Sequence, residues 1–327
     1  MTDTSNSYSL RSTSASSYTS EEDSSFFINN KQIRFVKKIS ESKFPVYLVQ
    51  DTKTGLMQAI KLFPWNEEDN EPSSFYKKEV RFAQISHPNV TAITGYKNEQ
   101  GIDGDEEVGR VSYILMDYAK NGDLFDAILT TRVPFNEELI RTYFQQIILG
   151  LEAIHAHGAA HLDLKLENFL LDENYNVKIT DFDLSFMAAE EKEVSTKGTI
   201  NYRAPEIIDD CCKNAQAADI YSAGIMLFLM KTGGRLPFKE RDLYNGINMK
   251  ELLELNPKMF WKKQCEFLGK EESFFSQDFK RLFSSMVQRC PENRATLEEV
   301  KTSEWINKET YSEEELFSYM CGRFDFL

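Results

Sequence analysis

The stretch "HLDLKLENFLLDENYNVKITDFDLS", residues 161–185, decides how the chain is read. It sets Asp163, Lys165 and Asn168 on one short loop, with Asp181 and Asp183 straddling a phenylalanine further on. Calcium is the first reading to test. Asp172, Asn174 and Asn176 fall at the first, third and fifth positions of an EF-hand loop, and Asp183 falls at the last. The sixth position needs glycine for its sharp turn, and Val177 stands there. Val177 to Thr180 alternates apolar and polar residues, which predicts a strand. "DENYN" is therefore a chain reversal between two strands, and calcium is rejected.

Upstream of this stretch, "LIRTYFQQIILGLEAIHAHG" repeats apolar residues at helical spacing and ends on Gly158, a C-terminal stop. Earlier still, "IRFVKKI", "VYLVQD", "MQAIKLF", "AITGY" and "VSYILM" read as strands, interrupted by one amphipathic helix over about Phe75–Ile85. The fold class is α+β: a small antiparallel lobe over 28–116, then a larger, mainly helical lobe over 117–306. Residues 1–27, rich in Ser and Thr, bury too little apolar surface to order and are expected to be a disordered tail. Residues 307–327 form a C-terminal segment that can fold as a docking amphipathic helix.

Composition narrows the partners. The chain has 327 residues and a net charge of −14, which argues against nucleic acid and anionic membrane and favours basic proteins. Its five cysteines are an odd set without metal-type spacing, which suits a reducing, cytoplasmic location, with the nucleus also open. "IYSAGIMLFLM" (220–230) is too short to span a bilayer and reads as a buried helix. No secretory signal is expected, because residues 1–25 lack an apolar stretch.

Taken in order, "AIK" with Lys61, "KKEVRF" with Glu79, "HLDLKLEN", "DFD", "GTINYRAPE", "DIYSAG" with Asp219 and "CPENRAT" with Arg294 make the chain resemble a eukaryotic protein kinase from about residue 32 to 306. Lys165 and Thr199 resemble the serine/threonine type, and the outline is similar to the calcium/calmodulin-dependent group. The resemblance implies transfer of the γ-phosphoryl group of ATP, with Mg2+, to protein hydroxyls. It implies Asp163 as proton acceptor, with Lys165 and Thr199 beside it, and Asn168 and Asp181 as metal ligands. Lys61 would contact the phosphates, held by Glu79. Ile39, Val46, Ala59, Met116, Asp117, Ala119 and Asp123 are implied to line the nucleotide site, with Met116 as gatekeeper. Glu206 with Arg294, and Asp219 beneath the catalytic loop, are implied to be scaffold. No regulatory partner is indicated.

Three departures bear on activity. The phosphate loop "ISESKFPVYLV" has none of the family's three glycines, and Pro45 has no N–H to donate. Each hydrogen bond lost to a charged phosphate is worth roughly 1.5–3 kcal/mol, although Ser40 and Ser42 offer replacements. Leu162 stands where the family has an arginine that pairs with an activation-segment phosphate, so activity independent of that phosphate is expected. Ser195 and Thr196 lie in that segment, beside an "AEEKE" run that would repel a phosphate. Asp183 replaces a glycine; in an extended chain it would share a face with Asp181 at about 6–7 Å, repelling it by on the order of 2–3 kcal/mol. A pseudokinase that serves as a scaffold is the alternative reading these departures motivate. Retention of Lys61, Glu79, Asp163, Lys165, Asn168 and Asp181 opposes it.

Overall fold

Alternation along "QAIKLF" sends successive side chains to opposite faces of a strand, and the two faces build two different cores. The computed structural model describes residues 25–28, 31–40, 43–66, 70–100, 111–130, 134–191, 193–194 and 197–324. The strands β1 (Ser25–Ile28), β2 (Lys31–Ser40), β3 (Val46–Asp51), β4 (Met57–Asn66), β5 (Glu71–Pro72), β6 (Ile93–Gln100) and β7 (Val111–Asp117) form one antiparallel sheet in the order β1-β2-β3-β4-β7-β6, with β5 on the end of β4. Ile60 joins Ile33, Val49, Tyr113 and Leu115 on the outer face. Ala59 and Phe63 join Phe44, Tyr76, Ile114 and Met116 on the inner face. The first strand begins at Ser25, inside the segment 1–27 expected to be a tail; residues 1–24, Ser42, Ser195 and Thr196 lie outside the described residues.

Against the inner face lies α1 (Ser74–Val80), capped by the Ser73 hydroxyl, which accepts from Phe75 N. The expected helix over 75–85 is shorter, because Arg81–Gln84 tighten into a 3-10 turn. The helical lobe follows with α2 (Leu124–Thr130) and α3 (Glu137–Ala156). Next come four short strands, β8 (Ala159–Ala160), β9 (Phe169–Leu171), β10 (Val177–Ile179) and β11 (Phe186–Met187), paired β9 with β10 and β8 with β11. The lobe is completed by α4 (Pro205–Ile208), α5 (Ala215–Thr232), α6 (Met249–Leu255), α7 (Pro257–Leu268), α8 (Gln277–Met286), α9 (Leu297–Lys301) and α10 (Glu313–Phe324).

Residues Ile220–Met230 are buried throughout α5, as their apolar run predicts. Among the described residues no helix is long and apolar enough to cross a membrane. Helix α10 docks on the lobe through Leu316 and Met320, and Tyr319 stacks on Tyr311 at 5.0 Å. All five cysteines are free thiols. The reversal at "DENYN" is an Asx turn: Asp172 Oδ1 accepts from Asn174 N (2.9 Å) and Asn176 N (2.8 Å), so this carboxylate is occupied by backbone.

Gly150 explains how the lobes join. A Cβ there would meet Asn89 O at 2.7 Å and Ile179 Cδ1 at 2.8 Å. Its absence lets α3 approach the "HPNV" turn, which in turn bonds β10 through Ile179 N→Asn89 O and Thr91 N→Ile179 O, both 2.9 Å. The sheet-rich lobe is thereby stitched to the hairpin that carries Asp181.

Candidate active site

Two short strand pairs deliver the polar groups. Strand β8 runs directly into His161, and β9–β10 brackets the turn at 172–176. Asp219, fully buried near the start of α5, accepts from His161 N and Leu162 N, both at 2.8 Å, and His155 Nε2 lies 2.9 Å from it. That carboxylate clamps a strained backbone, because Leu162 has φ 64°, a left-handed conformation a branched side chain resists. Asp163 N donates to His161 Nδ1 (3.3 Å), so the ring proton sits on Nε2, which donates to Thr180 O at 3.0 Å.

The result aims Asp163 at its partners. Its Oδ2 accepts from Lys165 Nζ at 2.6 Å. Its Oδ1 accepts from Thr199 N (2.8 Å) and Thr199 Oγ1 (3.0 Å). Gly198, with φ 116°, permits that approach: a Cβ would strike Leu162 O at 2.9 Å and crowd Asp163 Oδ1 at 3.3 Å. Burial would depress the Lys165 ammonium, but the hydrogen bond and charge of Asp163 hold it above its ordinary value.

Asn168 and Asp181 flank the open end of the β9–β10 hairpin, where Thr180 N donates to Asn168 O at 3.0 Å. Asn168 Nδ2 donates to Asp163 O (2.9 Å), which directs its amide oxygen away from that bond. One carboxylate oxygen of Asp181 accepts from Lys61 Nζ at 2.7 Å. One carboxylate and one amide oxygen are hard donors that fit Mg2+. Among the described residues no group of three or more His, Cys, Asp or Glu side chains forms a metal cage. An ion here would need phosphate oxygens to complete its shell, which is the usual habit of Mg2+.

Lys61 bridges the lobes, bonded to both Glu79 and Asp181. Burial would lower its pKa, but the two carboxylates raise it well above the ordinary lysine range. One cation cannot neutralise two acids. Glu79, wholly enclosed, is pushed up to about 7 by burial against the pull of Lys61. Asp181 is held below its usual value, because Lys61 outweighs its burial. Phe182 stacks on Phe82 at 4.1 Å and 13°, packing the segment after the hairpin against the turn that follows α1.

Asp183 departs from expectation. Asp181 has φ 69° and Asp183 lies in a turn, so the segment is not extended and the i, i+2 geometry does not apply. Asp183 is half-buried, and burial, then the charge of Asp181, raises its carboxyl. The repulsion has the expected direction, with a different geometry.

Strand register tests the nucleotide wall. Val46 pairs with Lys61, and Ala59 pairs with Met116, so these four side chains share the inner face. Ile39 sits at a register shift in β2 and is 38% exposed. Asp117 N donates to Ala92 O (3.2 Å), while Ala119 follows in the open connection to α2. Asp123 caps α2, its Oδ1 accepting from Asp126 N at 2.8 Å, so part of its acceptor capacity is structural. Burial raises the carboxyls of Asp117 and Asp123.

From Lys43 onward, the glycine-free loop is anchored by its aromatic residue. Phe44 is buried against Phe63 (4.9 Å) and Phe75 (5.1 Å), and Lys43 Nζ lies 3.5 Å over the Phe75 ring. Sequence reasoning missed Phe44 and Phe82; their only signal is an aromatic beside each polar motif. The scaffold expectation for Glu206 holds: Arg294 reaches it through two bonds of 2.6 and 2.9 Å, both side chains buried.

A family model described as "Protein kinase domain" matches residues 37–306. CBL-interacting protein kinase 32 of Oryza sativa subsp. japonica is 32% identical over 283 residues, covering 83% of this chain and 58% of that protein. CBL-interacting serine/threonine-protein kinase 12 of Arabidopsis thaliana is 30% identical over 274 residues, 80% of this chain and 50% of that protein. CBL-interacting protein kinase 10 of Oryza sativa subsp. japonica is 35% identical over 198 residues, 59% of this chain and 40% of that protein. The chain spans about half the length of the curated relatives it matches.

Proposed function

The chain belongs to the protein kinase family, and from that premise we propose that it is an active serine/threonine kinase that uses ATP to phosphorylate protein hydroxyls. One observation carries the reading: Asp163, Lys165 and Thr199 form a single bonded cluster, while Lys61 bonds Glu79 and Asp181 at once. Pairing across the two lobes is what phosphoryl transfer requires, because charge must be neutralised where the reactants are held in line. A scaffold has no need of it.

Asp163 accepts the proton of the incoming hydroxyl. Lys165 and Thr199 orient that carboxylate and place a cation beside the migrating group. Lys61 binds the nucleotide phosphates, and Val46, Ala59 and Met116 supply an apolar inner wall for the base. Asn168 and Asp181 would hold Mg2+, which when bound neutralises phosphate charge. The acidic surface suits a basic protein substrate. The relatives' names speak of interaction with CBL; a comparable regulator is a reasonable partner class for this chain. Five free thiols support a reducing compartment such as the cytoplasm.

The experiment incubates the purified protein with labelled ATP, Mg2+ and a basic protein. Transfer is expected in the wild type and in Leu162→Arg, and its loss, by roughly a thousandfold or more, in Asp163→Asn. Equal incorporation by wild type and Asp163→Asn would sink the assignment. Nucleotide-induced thermal stabilisation without incorporation would favour the scaffold.

A further inference from the structure

The acidic run after β11, read from the sequence as a charge that would repel a phosphate, reaches the C-terminal end of α1. Arg81 donates to Glu191 at 2.8 Å and lies 3.1 Å from Glu190. Lys78 Nζ is 3.0 Å from Glu191 and donates to Ser185 O at 2.9 Å. Lys78 and Arg81 are three residues apart, so they share one side of the helix, and they flank Glu79, the partner of Lys61.

The turn that carries the two glutamates is fixed by its own bonds, independently of α1. Glu190 N and Glu191 N both donate to Met187 O, at 3.0 and 2.9 Å, and Met187 N reaches back to Glu191 at 3.3 Å. Met187 pairs with Ala159 of β8, the strand that leads into His161 and Asp163. The acidic turn is thus mounted on the same strand pair as the catalytic loop. Helix α1 is only seven residues long, and a helix that short depends on tertiary contacts to hold its place.

We infer that Glu190 and Glu191 form a built-in clamp on Lys78 and Arg81, positioning Glu79 for reaction without a phosphate on the activation segment. This rests on the kinase reading above and adds the reason Leu162 is tolerated. An arginine at position 162 would gather a phosphate to order the segment. Here the anionic charge is encoded in two glutamates, and its basic partners sit in the last turn of α1 and at its C-cap. All four are positioning residues.

The test compares the wild type, a neutral variant (Glu190→Gln with Glu191→Gln) and a full reversal (Lys78→Glu and Arg81→Glu with Glu190→Lys and Glu191→Arg). Two readouts are taken: hydrogen exchange of amides 74–84, and kcat/KM for transfer to a basic protein. The neutral variant is expected to exchange faster and to lose about tenfold in kcat/KM, within the range of ordinary coupling between sites. The reversal, which gives up the Met187–Glu191 and Lys78–Ser185 bonds, is expected to recover at least about threefold of the lost kcat/KM and part of the lost protection. Unchanged exchange and rate in the neutral variant would overturn the clamp and leave the kinase reading standing. Should the wild type transfer nothing, the kinase reading fails, and the exchange data alone decide the clamp. If the neutral variant does not fold, protected amides in the reversal support the clamp and unprotected amides overturn it.

Discussion

Glu79 is buried beside Lys61, and that burial, more than its charged neighbours, governs how the site answers pH. Glu79 has an ordinary value of 4.5 and is raised to about 7, so between those limits the folded chain holds a proton that the unfolded chain has lost. Its contribution to stability is therefore full below about 4.5 and is lost as pH rises through about 7. The pair with Lys61 runs the opposite way, complete only once Glu79 is ionised. We expect kcat/KM to fall below about pH 7, and Glu79→Gln to lower the plateau at least ~10-fold and flatten that limb. A limb that persists in the variant would assign the titration to another group. The placing of Lys61, Glu79, Asp163 and Asp181 together was legible because the motifs that carry them resemble those of a kinase in their order. The relation of Asp183 to Asp181 was not, because it hangs on φ at Asp181, which alternation cannot encode and an aspartate can adopt in either sign.

At the scale of elements, the catalytic loop is held by a helix start 58 residues away in sequence. Asp219 uses both carboxylate oxygens on backbone donors, so Asp219→Asn would turn an NH2 group toward an N–H. Each hydrogen bond to a charged group is worth roughly 1.5–3 kcal/mol, about tenfold per 1.4 kcal/mol. A fall in kcat of about 10- to 100-fold is expected, with nucleotide affinity within about threefold of the wild type, measured by steady-state kinetics and nucleotide titration. Equal losses in both would mean that the loop also shapes the nucleotide site. The strands were readable because their period is two and their inner and outer residues differ in partner. The shortened α1 was not, since Arg81–Gln84 fit a helical pattern equally well and tighten only where Phe82 meets Phe182.

At the scale of the whole molecule, a buried ion pair ties together parts of the helical lobe. Arg294 is fully enclosed, bonds Glu206 twice and also donates to Ala217 O (2.7 Å) and Gln288 O. Removing one partner strands the other charge, which typically costs about 3–5 kcal/mol. Arg294→Ala is expected to lower unfolding free energy in denaturant by about that amount while leaving KM for ATP unchanged at a permissive temperature. A loss under about 1 kcal/mol would show that water replaces the arginine at Glu206. What the amino-acid sequence determined by itself was the two-lobed α+β plan and the order of the polar groups that line the candidate site, because polar identity and hydrophobic period are properties of the linear chain. Only the tertiary structure decided that Phe44 is tucked inward, that Asp181 turns left-handed and that Glu190 and Glu191 grip α1. Those outcomes depend on which distant surfaces meet, and burial and charge pairing are settled only when they do.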